Sequence, residues 1–169
     1  MKTEASIGCA IRAIANNEKV LFVQFLKNGG SSEIKFLEKH IKVLVGVVNK
    51  ITLPENLTTI DKFNAQSLFL AVVDYAKDCG YNLIVLDEIL PAIDMGLITL
   101  EQLEVLIEIC NKSSIDLFLT GRVRNKELRL KISQLSDVCT NAYCVKHCFN
   151  THCSKCGKDF PYHYTYCCD

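Results

Sequence analysis

The stretch Tyr81 to Glu88, YNLIVLDE, most constrains what this chain can fold into. Leu83 to Leu86 are apolar with none of the polar alternation of a half-exposed strand, which predicts a central strand buried on both faces. Two carboxylates, Asp87 and Glu88, close it abruptly. In open α/β sheets, ligands bind in the crevice outside the carboxyl ends of the strands. A buried strand that delivers two acids to such a crevice suits a magnesium-bound nucleotide. A strand that merely ends in a solvated acidic turn is the alternative reading of the same residues.

The flanking sequence makes the sheet parallel. Thr3 to Asn16 carries Ile7, Ala10, Ile11 and Ile14 at helical spacing, and Lys19 to Phe25 reads as a second buried strand. Lys27 to Ser32 then reads as a loop, Ser32 to His40 as a short helix, and Ile41 to Val48 as a strand. A connection with Pro54 leads to Asp61–Cys79, expected as a deeply packed crossover helix that Gly80 stops. Thr99 and Gln102 fit a capping box, with Ile98 and Leu103 as its hydrophobic staple, for a helix over Leu100 to Asn111. Ile115 to Leu119 is expected as a strand, Asn125 to Ile132 as a helix, and Val138 to Cys144 as a last short strand. Strands alternating with helices predict an α/β fold, a mostly parallel sheet with helices on both faces.

Composition narrows the partners. Nineteen basic and nineteen acidic residues cancel, which gives no broad electrostatic reason to expect nucleic acid or an anionic membrane. No apolar run approaches a membrane span, and the first twenty residues lack a signal pattern. The cytoplasm is the expected compartment. Seven of the ten cysteines lie between Cys139 and Cys168, four of them in a Cys-rich tail, residues 150–169, so the cysteine chemistry belongs to the end of the chain.

Three expected strand ends supply Lys27, then Asp87 and Glu88, then Thr120, Gly121 and Arg122. A lysine, two carboxylates and an arginine at one sheet edge suit a polyphosphate and its metal, and Gly121 would let backbone approach the ligand. In this order VLFVQFLK (Val20 to Lys27), a Gly-Ser-Ser-Glu loop, LIVLDE (Leu83 to Glu88), AIDMGL (Ala92 to Leu97), LTGR (Leu119 to Arg122) and VKH (Val145 to His147) resemble the ATP:corrinoid adenosyltransferases of the P-loop type. The resemblance covers residues 1–149, and its motifs are specific only together.

That resemblance implies a P-loop nucleotide-binding fold and transfer of the 5′-deoxyadenosyl group of ATP to the Co(I) of a reduced corrinoid, with release of triphosphate, in cobalamin biosynthesis or salvage. It also implies a homodimer and a flavoprotein reductant. Carried over residue by residue, Asp87 and Glu88 take the catalytic and Mg²⁺ roles, and Lys27 and Arg122 meet phosphate oxygens. Phe63 and His147 fall to the corrinoid. Family members open with a strand and a glycine-rich loop ending in Gly-Lys-Thr-Thr, whereas this chain reads Met1-Lys2-Thr3-Glu4-Ala5. Lys2 and Thr3 would then be the ATP-binding lysine and the magnesium hydroxyl, in a domain lacking the first strand and most of the phosphate loop.

Cys153 and Cys156 form a CxxC knuckle, with Cys167 and Cys168 further on and His147, His152 and His163 interspersed. Thiolates and imidazoles at such spacing suit tetrahedral Zn²⁺, with free thiols and adventitious disulfides as the alternatives. Two other functions fit parts of the pattern: a zinc-bearing nucleoside kinase, which the CxxC tail would suit, and a truncated, inactive paralogue acting as a binding protein.

Overall fold

The computed structural model describes residues 2–27, 30–47, 57–78 and 80–142, and the architecture below belongs to the unit Met1–Cys139. Four strands, β1 (Val20–Lys27), β2 (Lys42–Val47), β3 (Leu83–Asp87) and β4 (Asp116–Leu119), form one sheet in the order β2-β1-β3-β4. Every adjacent pair is parallel. Around it lie α1 (Lys2–Ala15), α2 (Ser32–Leu37), α3 (Thr59–Asp78), α4 (Ile89–Asp94), α5 (Leu100–Lys112) and α6 (Lys126–Leu135).

Strand parity sorts the core into two layers, because successive side chains of a strand point to opposite faces. Val20, Phe22, Leu83 and Val85 pack with Ala10 and Ala13 of α1 and Ile34 and Leu37 of α2. Leu21, Val23, Phe25, Ile84 and Leu86 face the other way, against Ala65, Phe69 and Val72 of α3, Ala92 of α4 and Leu103 and Leu106 of α5. The sheet is thus covered on both sides, as a parallel sheet requires. From β1 the chain passes outward to β2, then returns across β1 to β3. That reversal opens a crevice between the carboxyl ends of β1 and β3.

Local signals located most elements well. The capping box is present: Thr99 Oγ1 accepts from the Gln102 N–H, and the Gln102 side chain accepts from the Thr99 N–H. Ile98 and Leu103, the staple pair, are both fully buried in one cluster. Gly80 takes the left-handed conformation just past α3, with φ +60°.

Three expectations need correction, and one element is added. β1 continues to Lys27, so this lysine ends a strand rather than opening a loop. α3 is not deeply packed: only Ala65, Phe69, Val72 and Ala76 are buried, one narrow stripe, while Ile60, Phe63 and Leu70 are exposed. Among the described residues, α3 packs mainly on the sheet face and on α5, which accounts for the one-stripe burial. The strand foreseen over Val138 to Cys144 is not formed in its described part, where Val138 to Ala142 is irregular and Val138 is 84% exposed. The six-residue α4 was not foreseen; its Pro91 is accommodated because its missing N–H is tolerated in a first helical turn.

Candidate active site

Asp87 is the hub. It closes β3 with no solvent exposure, and its parity places it with Leu83 and Val85 on the α1 side of the sheet. Thr120, at the end of β4, donates its hydroxyl to Oδ1 at 2.7 Å. Gln24, the strand partner of Asp87, donates Nε2 to Oδ2 at 3.1 Å. From α1, the Thr3 hydroxyl lies 3.1 Å from Oδ1 and 3.3 Å from Oδ2. Lys27 Nζ completes the shell, 2.9 Å from Oδ2 and 2.8 Å from Thr3 Oγ1. Four elements of the sequence therefore meet on one carboxylate.

Burial pushes the Asp87 carboxyl up, but hydrogen bonds from Thr120 and Lys27, the Lys27 charge and the Gln24 amide outweigh it and hold the group below the ordinary carboxylate range. The site thus keeps a buried anion ionised. Such an anion is costly unless it is paired and hydrogen-bonded, and here it is both.

Lys27 reaches Asp87 through a break in strand regularity. Residues 24 and 27 have opposite parity, so in a regular strand their side chains would leave on opposite faces. The β1–β2 register shifts between Gln24 and Lys27, and Leu26 adopts φ +53°. This bulge turns the strand end so that both side chains donate to the same Oδ2.

Glu88 also sits in an unusual conformation, left-handed at φ 59° and ψ 27°, as the residue that opens α4. A non-glycine residue pays about 1–2 kcal/mol for that state. Its N–H donates to Thr120 Oγ1 at 3.0 Å, so Thr120 holds both acids, one through its proton and one through its oxygen. The Glu88 carboxylate is 21% exposed and lies 3.6 Å from Lys2 Nζ.

Gly121 has a packing role at the end of β4. Its φ is +145°, and a Cβ there would collide with Pro91 Cδ and stand 2.9 Å from Leu90 Cβ. The glycine allows α4 to pack against the end of β4. Asp94, at the far end of α4, accepts the backbone N–H groups of Arg124 and Asn125 at 2.9 and 3.2 Å. Arg122 lies between these two tethers, exposed and without a hydrogen bond or ion pair among the described residues.

The structure therefore brings together Thr3, Lys27 and Asp87, sets Lys2 beside Glu88, and leaves Arg122 and Phe63 outside this cluster. Phe63 is 69% exposed on α3. His147 and Cys153, Cys156, Cys167 and Cys168 lie outside the described residues. Two contributors went unassigned in the sequence, Gln24 and Thr120. Gln24 had a signal, one amide in the otherwise apolar run VLFVQF, since a lone polar residue in a buried strand needs a partner.

The donor chemistry fits a magnesium ion. Thr3 Oγ1 and the carboxylates of Asp87 and Glu88 are hard oxygen ligands, and Mg²⁺ takes one or two carboxylates with water and phosphate rather than a full protein cage. No group of three or more His, Cys, Asp or Glu converges among the described residues. A narrow cleft on the α3 side of the sheet is bounded by Phe25, Leu26, Gly46, Asp61, Asn64, Ala65 and Leu68. A larger depression lies at the opposite, amino-terminal edge of the strands, among Lys19, Lys39, His40 and Lys42; it is remote from the acids and takes no part in this site.

Comparison with known proteins adds one finding. The family model described as ATP:corrinoid adenosyltransferase BtuR/CobO/CobP matches residues 1–158. No curated protein matches the chain.

Proposed function

Because the chain belongs to the ATP:corrinoid adenosyltransferase family, a family of enzymes that use ATP and a corrinoid, we propose that the crevice between β1 and β3 is where the triphosphate of ATP is held for transfer of its 5′-deoxyadenosyl group to the Co(I) of a reduced corrinoid. The observation that carries this reading is the convergence of Thr3, Lys27 and Asp87 at the topological switch point. In the reaction, the cobalt electron pair forms a bond to the ribose C5′, the C5′–O bond breaks, and triphosphate leaves with that bond's electrons. No proton has to be abstracted and no covalent enzyme intermediate is needed.

The protein's share is positioning and electrostatics. Asp87, fixed by Thr120 and Gln24, orients the Thr3 hydroxyl. Lys2, Lys27 and Arg122 supply positive charge toward phosphate oxygens, Arg122 from a loop tied down by Asp94. Thr3, Asp87 and Glu88 would hold a magnesium ion, which when bound neutralises charge on the departing triphosphate. Phe63 and His147 are proposed for the corrinoid, with a flavoprotein as reductant, a homodimer as the working form and the cytoplasm as its place.

The test is single-turnover adenosylation of a chemically reduced corrinoid, followed by the corrinoid spectrum and by triphosphate release. Asp87→Asn and Thr3→Ala are expected to lower the rate by roughly 10²-fold or more, the scale of losing one preorganised electrostatic contact. Wild-type turnover in a folded Asp87→Asn protein would refute the site.

A further inference from the structure

Lys27 occupies an unexpected place for a phosphate-binding lysine. Its ammonium does not point to open solvent at the crevice mouth but sits on Thr3 Oγ1 at 2.8 Å and Asp87 Oδ2 at 2.9 Å. Those are two of the oxygens that the preceding section gives to the divalent cation. Both contacts are shorter than the direct contacts of 3.1 and 3.3 Å between the Thr3 hydroxyl and the carboxylate. The ammonium thus bridges α1 to β3 in the way a small cation would.

We propose that Lys27 is the resident counter-ion of this site, and that its ammonium must leave Thr3 and Asp87 before a divalent cation can settle there. The inference rests on the assignment of Thr3 and Asp87 to the metal. It makes polyphosphate the key to metal entry: the anion draws the ammonium away, and the oxygens it releases are then filled by the cation. Metal and triphosphate thereby enter as a pair, and metal alone is held weakly.

Three features make the lysine displaceable rather than a fixed structural partner. Its side chain is 35% exposed, whereas that of Asp87 is fully buried, so the ammonium has a route to water and the carboxylate does not. Asp87 keeps its orientation when the lysine departs, because Thr120 still donates to Oδ1 and Gln24 to Oδ2. What departure removes is charge compensation, and a buried anion left unpaired is strongly unfavourable. A divalent cation restores that compensation, which links the two movements.

The bulge supplies the means. With Leu26 at φ +53°, the strand end carries the lysine onto the α1 side of the sheet instead of the face its parity would dictate. Lys27 is a positioning residue in this state, acting on the metal site rather than on the reacting atoms.

The deciding measurement is Mn²⁺ binding to the full chain without nucleotide, read as the loss of the free-ion electron paramagnetic resonance signal. Lys27→Met removes the charge and Lys27→Gln keeps an amide donor without it; both are expected to bind Mn²⁺ at least about tenfold more tightly than wild type, because a cation no longer competes at contact distance. Equal or weaker binding in both variants, with Asp87→Asn abolishing it, would overturn the counter-ion role and leave the metal assignment standing. Mn²⁺ affinity unchanged in Asp87→Asn would remove the metal assignment, and the counter-ion role with it. Thermal melting of each variant establishes that a folded protein is being titrated.

Discussion

Replacing Thr120 by valine removes one oxygen and tests the whole logic of the acid pair. The side chain is 5% exposed and nearly isosteric with valine, so packing changes little while two hydrogen bonds vanish: the one given to Asp87 Oδ1 at 2.7 Å and the one taken from the Glu88 N–H at 3.0 Å. A hydrogen bond to a charged group contributes about 1.5–3 kcal/mol, and an orphaned buried N–H costs about 1–3 kcal/mol. The sum is a loss of roughly 3–5 kcal/mol, large against the ~5–15 kcal/mol that holds a domain together. Thr120→Ser keeps both bonds and loses one methyl group, worth about 1 kcal/mol. Chemical denaturation of both variants at neutral pH measures the difference.

Acidity adds a second reading of the same pair. Asp87 has its folded pKa held below the unfolded value, so its contribution is fully present above the unfolded pKa of about 3.9 and is lost as pH falls through the folded value. Thr120 supplies the largest of the lowering contributions. The stability gap between wild type and Thr120→Val should therefore be widest near neutrality and shrink below about pH 4. A gap under about 1 kcal/mol at pH 7, against the hydrogen-bond values used above, would refute the reasoning. So would a gap that stays constant as Asp87 titrates.

Glu88 and Gly121 test the backbone around the same turn. Glu88→Gly should be more stable than Glu88→Ala by about 1 kcal/mol, since glycine alone is unpenalised at φ 59°, while both lose adenosyl transfer; equal stabilities would argue against the left-handed turn. Gly121→Ala meets Pro91 Cδ and Leu90 Cβ and should lose roughly 2–5 kcal/mol by overpacking and backbone strain, visible as a lowered Tm. A wild-type Tm would mean α4 does not press on this glycine. Burial pushes the Cys110 thiol up to about 11, so brief alkylation at pH 8 should label the exposed Cys139 and spare Cys110 until denaturant is added. Equal labelling of the two in the folded protein would show that α5 opens readily.

Much of the scaffold was legible because its signals are local. The buried runs at Val20–Phe25 and Leu83–Leu86 need no partner to be recognised, and neither does the Thr99–Gln102 cap, whose two hydrogen bonds close within three residues. α3 misled for the complementary reason. Apolar residues surround it, yet how many are buried depends on what packs there, and Ile60, Phe63 and Leu70 meet solvent. The short helix after Glu88 escaped notice because its start is set by one left-handed residue and not by a periodicity.

By itself the sequence determined that a buried strand would bring Asp87 to a carboxyl end, and that its parity would set it with Leu83 and Val85 on one side of the sheet. Which groups meet that acid was decided only by tertiary structure. The order β2-β1-β3-β4 makes Gln24 the neighbour of Asp87 and lets Thr120 arrive from β4. The bulge at Leu26 reverses the side on which Lys27 would emerge, and α1 folds back to set Thr3 above the carboxylate. Those contacts span 24 to 84 residues of chain, and no local rule reaches so far: a side chain's face is a property of its own strand, but its partners are a property of the strand beside it.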